Sequence, residues 1–73
     1  MSPSFSLLDT VALLDDLPAH GLERGEVGVL VETLADGVWL VEFVDDEGRT
    51  LATPDLREEQ VLRLRAPRTA SAA

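Results

Sequence analysis

Two alternating apolar runs, "EVGVLVETL" and "VWLVEFV", are joined by a segment centred on Asp36-Gly37, and this feature constrains the fold more than any other. An Asp-Gly pair between alternating runs is the strongest short-range hairpin signal. The tight turn that matches strand twist needs φ > 0 at its central positions, where Asp and Gly are tolerated. The first run places Val27, Val29, Val31 and Thr33 on one face and Gly28, Leu30, Glu32 and Leu34 on the other. The second places Trp39, Val41 and Phe43 on one face and Val38, Leu40, Glu42 and Val44 on the other. Both faces of the second run are mostly apolar, so it reads as the central, most buried strand. Gly28 lies inside a strand, which marks a bulge or the close approach of another backbone.

The flanks extend the pattern. "TVALLDD" reads as an earlier short strand, with Val11 and Leu13 on one side and Ala12 and Leu14 on the other, ended by Asp15, Asp16 and Pro18; so short an apolar run is equally compatible with a helical turn, and periodicity alone does not decide. Residues 15–25, "DDLPAHGLERG", form a long loop with turn glycines at Gly21 and Gly25. After the second run, "DDEGR" is a turn leading into a fourth strand, "TLAT". Pro54 and Asp55 then read as the start of one helical turn, "DLREEQ", with Asp55 as cap and Glu58 and Glu59 near its positive end. A last strand, "VLRL", closes the folded part. The expected fold is all-β: a small five-stranded antiparallel SH3-like barrel with one helical turn before the last strand. It would occupy residues 7–65, between a short lead-in at 1–6 and a disordered C-terminal tail at 66–73.

A chain of 73 residues is one small domain. A single core of this size supplies about 3–5 kcal/mol, which leaves little volume for a deep pocket. With no cysteine there is neither a disulfide staple nor a thiolate metal site. No run reaches the ~18 apolar residues of a membrane span, and the N-terminus does not read as a signal peptide. The expected location is therefore cytoplasmic. The net charge is −8, with six arginines and no lysine. Residues 1–54 hold two of those arginines against eleven acidic side chains. Such a surface repels phosphate and favours a basic protein. It also serves simply to keep a small protein in solution.

Residues 7–64 resemble the small bacterial family catalogued as domain of unknown function 4926. The most specific segments are "DLPAHGLERGEVG", "VEFVDDEGRT" and "LREEQVLRL". The resemblance implies a fold but no established activity. It also suggests a place in two-gene modules beside a toxin-like partner. "LERGEVGVLVETL" is similar to the strand and loop of KOW-type barrels, and "LPAHGLERGEVGVLVE" to the barrel of the nitrile hydratase β subunit. Both imply an SH3-like barrel. KOW domains that meet RNA are usually basic at this point, and this chain is not. The nitrile hydratase metal ligands belong to the other subunit.

Individual residues add little catalytic signal. His20 is the single histidine and has no second base, nucleophile or ligand beside it, so it reads as a turn residue rather than a general base. Asp45, Asp46 and Glu47 are consecutive and followed at once by Gly48, which suits a turn rather than a calcium loop with alternating ligands. Gly21, Gly25 and Gly28 open a strand beside Glu23 and Glu26, whereas phosphate-binding glycine loops open a helix. Trp39 and Phe43 share a face and read as core before interface anchors. Arg57, Arg63 and Arg65 read as solvated or as weak surface pairs.

The expectation is a non-enzymatic protein-binding module without cofactor or metal, acting on a basic partner encoded next door as an antitoxin or immunity-type protein does. Its binding surface would draw on Asp15, Asp16, Glu23, Arg24 and Glu26 in the long loop and on Asp45, Asp46 and Glu47. A homodimer through an edge strand is compatible with the pattern; nucleic acid and membrane are not expected partners. The alternatives are an accessory subunit or chaperone of an enzyme, and a nucleic-acid-associated KOW-like domain.

Overall fold

The computed structural model describes residues 5–64. Six strands form one antiparallel sheet: β1 (Thr10–Leu13), β2 (Val27–Ala35), β3 (Val38–Val44), β4 (Thr50–Ala52), β5 (Asp55–Arg57) and β6 (Val61–Arg63). The order is β4-β3-β2-β1-β6, with β5 paired to β3 on the same edge as β4. The only helical segments among the described residues are two 3₁₀ turns, Pro18–His20 and Glu58–Gln60.

The hairpin expected at Asp36-Gly37 is the centre of this sheet. β2 and β3 pair from Gly28↔Phe43 to Ala35↔Val38, and Gly37 holds φ at 71°. Register shifts between Leu30 and Glu32 and between Thr33 and Ala35 increase the local twist. Gly28 itself is not a bulge. It pairs directly with Phe43, and a Cβ there would stand 2.9 Å from the Glu42 carbonyl oxygen and from two carbons of the Phe43 ring. The close-approach alternative is the one realised.

One face of the sheet builds the core from Val11, Leu13, Leu30, Trp39, Val41, Phe43, Leu56 and Val61. Leu22 joins them from the long loop, and Phe5, Leu17 and Ala52 pack against the cluster. Trp39 and Phe43 are therefore core residues. Phe5 ties part of the lead-in to the domain; the tail at 66–73 and Arg65 lie outside the described residues. The Trp39 indole N–H donates to Glu58 Oε2 at 2.9 Å, and Glu58 N–H donates to the Gly37 carbonyl at 3.0 Å. These two bonds fasten the second 3₁₀ turn to the β2–β3 turn.

The structure corrects the expected architecture in three respects. There are six strands, not five, because Pro54 has no N–H to donate and splits one edge strand into β4 and β5. Its carbonyl still accepts from Val41 N–H at 3.1 Å, so the two pieces follow one line along β3. The helical turn begins at Glu58 rather than Asp55, whose pairing with Leu40 places it in β5 instead of at a cap. Finally, the sheet is open rather than a closed barrel: β4 and β5 lie on one edge and β6 on the other, without pairing between them. A three-residue turn carries the chain from one edge to the other.

β3 is an interior strand paired on both sides, but the middle of the sheet is β2 and not β3 as its pattern implies. Its second face is half-buried along Val38, Leu40 and Glu42 and opens at Val44, which is 45% exposed while Phe43 is sealed.

Gly28→Ala should cost about 1–3 kcal/mol, because backbone and a buried ring must both yield to one added methyl. Urea denaturation should show a lower midpoint with an unchanged slope. An unaltered midpoint would mean that the close approach is not a constraint.

Candidate functional site

The long loop is an ordered arm. Leu17 and Leu22 exchange N–H···O bonds of 2.8 and 3.1 Å across the first 3₁₀ turn, and Gly21 ends that turn at φ 69°. Burial of Leu22 at 2% exposure pins the arm to the core. Farther along, Gly25 N–H donates to the Leu13 carbonyl at 2.8 Å and Leu13 N–H to the Glu26 carbonyl at 2.9 Å. Two of the expected site carboxylates serve this framework. Asp16 Oδ1 accepts from Arg24 N–H at 2.8 Å, and Glu26 Oε2 accepts from Glu23 N–H at 3.0 Å.

The β3–β4 turn is organised by a single carboxylate. Asp45 Oδ1 accepts from the N–H groups of Glu47 and Arg49 at 2.8 and 2.9 Å, while Oδ2 lies 3.3 Å from Arg49 Nε. Main-chain bonds from Asp45 N–H to the Arg49 carbonyl and from Gly48 N–H to the Asp45 carbonyl close the turn. Glu47 pairs with Arg49 Nη2 at 2.8 Å. The N–H groups, with Arg49 first among their contributors, hold the Asp45 carboxyl below its usual range against the cost of desolvation. This is turn chemistry, as the consecutive acids imply.

The register of β2 and β3 brings these two acidic segments to one end of the sheet. Gly28 faces Phe43, so the chain before Val27 and the chain after Val44 leave the ribbon side by side. Glu23, Arg24 and Glu26 thus share an end with Asp45, Asp46 and Glu47. Asp15 and Asp46 are exposed, and their side chains make no hydrogen bond among the described residues. A shallow open depression of about 270 Å³ lies on the arm between Asp16, Pro18, Gly21, Leu22 and Glu23. Its two carboxylates make it unsuitable for phosphate.

No polar or charged residue is buried among the described residues. His20 is exposed in the first 3₁₀ turn, and no group of three metal-ligating side chains is present there. None of Asp15, Asp16 and Glu23 accepts a hydrogen bond from the His20 ring; the Asp16 carboxylate accepts from Arg24 N–H instead. Of the arginines, Arg57 makes an exposed pair with Glu59. Arg63 does more: its Nε lies 2.8 Å from Asp9 Oδ2, which also accepts from Ser6 N–H at 2.8 Å. Ser6 first, then Arg63, lower the Asp9 carboxyl below its usual range. This contact ties the start of the domain to β6, and its long sequence separation hid it from the sequence pattern.

The sequence reading also missed the uncovered apolar side chains on the outward sheet face, Val27, Val44 and Leu62, which are about half exposed. Alternation identifies two faces but not whether a second layer covers both. No helix among the described residues is long and apolar enough to cross a membrane.

Comparison with known proteins finds one family. The family described as Domain of unknown function (DUF4926) matches residues 7–63, nearly the whole described domain. No curated protein and no solved structure matches.

Asp45→Asn should lower stability at pH 7 by weakening the turn. A carboxyl lowered on folding contributes stability above its unfolded pKa, near 4, and loses it as pH falls through the folded value. The gap between wild type and variant should therefore close below about pH 4 in thermal melts. A gap that stays constant to low pH would remove the ionised carboxylate from the account.

Proposed function

The chain belongs to the DUF4926 family of domains of unknown function, and from that premise we propose that it is a non-enzymatic, acidic protein-binding module. Its partner is a basic protein. In its sharpest form the function is neutralisation of a cognate protein encoded in the same operon, in the manner of an antitoxin or immunity protein, within the cytoplasm. The strand order, with β6 returning beside β1 after a 3₁₀ turn, supports an SH3-like arrangement of the open sheet.

The observation that carries this reading is the convergence of the acidic arm and the acidic β3–β4 turn at one end of the β2–β3 ribbon. Asp16, Glu26 and Asp45 accept main-chain hydrogen bonds, so both segments are fixed before any partner arrives. A pre-ordered surface avoids much of the entropy cost of binding. Clustered charge of one sign raises the association rate with an opposite surface and rejects polyanions.

Asp15 and Asp46 are the residues for the test, because their side chains hold up no hydrogen bond among the described residues. The product of the adjacent gene, expressed alone, should inhibit growth, and co-expression with this chain should relieve it. Asp15→Asn with Asp46→Asn should weaken the purified complex several-fold at low salt and leave the thermal midpoint unchanged. Binding should also fall steeply as salt rises, because exposed charges are screened. A complex indifferent to both salt and these substitutions would overturn the acidic-surface reading.

A further inference from the structure

The outward face of the sheet carries an apolar row beside the acidic segments. Ala12 pairs with Val27 on one side and with Leu62 on the other, so the three project from one face. Val27 and Val44 stand one step beyond the Gly28↔Phe43 pair and continue the row onto β3. Leu14 follows β1 directly, two residues beyond Ala12, and its N–H donates to the Gln60 carbonyl at 3.0 Å, which keeps it beside the chain leading into β6. Leu14, Val27, Val44 and Leu62 are 42%, 50%, 45% and 54% exposed. Alternation places their chain neighbours Leu13, Gly28, Phe43 and Val61 on the buried side.

Carboxylates border this row. Asp15 and Asp16 follow Leu14, Glu26 precedes Val27, and Asp45 and Asp46 follow Val44. Glu42 projects from the same face as Val44, two residues before it, and accepts a 2.8 Å hydrogen bond from Thr50 Oγ1. An apolar centre inside a charged rim is the anatomy of a protein interface. The charge selects the occupant. A second copy would bring another −8 to a surface already acidic. Residues 66–73, "APRTASAA", offer no bulky apolar side chain to fill the row. Nucleic acid meets like charge. What fits is a protein surface with an apolar strip between arginine or lysine side chains.

We propose that Leu14, Val27, Val44 and Leu62 form the centre of the docking surface for such a basic partner. The inference rests on the acidic-module reading and goes further by placing the contact on the sheet face, with the acidic segments as its rim.

The probes are two synthetic peptides, one alternating leucine with arginine and one alternating serine with arginine. Each is titrated into the full isotope-labelled chain at low salt and followed by amide chemical shifts. The leucine–arginine peptide should bind about tenfold more tightly, equivalent to about 1.4 kcal/mol. Its shifts should centre on the four row residues. Val27→Ser with Val44→Ser, both at half-exposed positions, should abolish that tenfold difference while leaving the serine–arginine affinity and the spectral dispersion unchanged. Equal affinity for the two peptides, with shifts confined to the arm and the β3–β4 turn, would overturn the docking row and leave the acidic-module reading standing. Binding of neither peptide would overturn both. Shifts of the row that grow with protein concentration alone would assign it to a second copy. Shifts of the row on deletion of residues 66–73 would assign it to the tail. Either result overturns the proposal.

Discussion

The fold depends on a missing methyl group. Where β2 passes β3, the Phe43 ring occupies the space that any side chain at Gly28 would need. That choice lets a large ring sink fully into a core that has few other large members. Phe43 and Trp39 are the only aromatics among the buried residues, and they stand on one face of the same strand. The pair fixes the register of the hairpin, since a slip of one residue would turn both outward and bring Glu42 and Leu40 inward. The register in turn decides which loops meet at each end of the ribbon. A packing constraint at one glycine therefore reaches the placement of the acidic segments.

The opposite end is held by polar contacts. Trp39 lies near the start of β3, where its N–H would be left without a partner if the second 3₁₀ turn moved away. Glu58 supplies that partner and also binds the backbone of the β2–β3 turn. The turn can thus carry the chain from β5 to β6 in three residues, across the gap between the sheet's two edges. Pairing does not close this gap. The core spans it instead, with Leu56 from β5 and Val61 from β6 in the same cluster. Arg63 and Asp9 add an ion pair beside β6, partly sheltered from water, where a lone surface pair would contribute little.

Much of this was legible in the sequence because it is written in local terms. Asp36-Gly37 announced its hairpin, and the apolar alternation chose the buried faces of β1 and β3. Gly28 announced either a bulge or a close approach without saying which. What escaped depends on partners distant in sequence. Pro54 read as the start of a helical turn and not as a gap within one continuous edge, because that requires knowing that β3 lies alongside. Asp55 has the chemistry of a helix cap, yet pairing with Leu40 outweighs a cap preference worth about 1 kcal/mol. Among the acidic residues, composition gave the sign of the surface and the turn role of Asp45. It could not separate Asp16, Glu26 and Asp45, which accept main-chain hydrogen bonds, from Asp15 and Asp46, which do not. Nor could alternation reveal that Val44 and Val27 face outward with no covering layer.

The charge and the open sheet answer to each other. An antiparallel sheet with two unpaired edges and an apolar outer row invites further copies of itself. A small domain cannot remove that liability with a second layer, because it has too few residues to cover both faces. Like charge on every copy is the remedy that costs no core volume, and here it is concentrated around the apolar row. Repulsion between copies and attraction toward a basic surface are the same field acting on different neighbours. On the proposed reading, a rim that disfavours contact between copies also sets the sign of the partner suited to lie against Val27 and Val44.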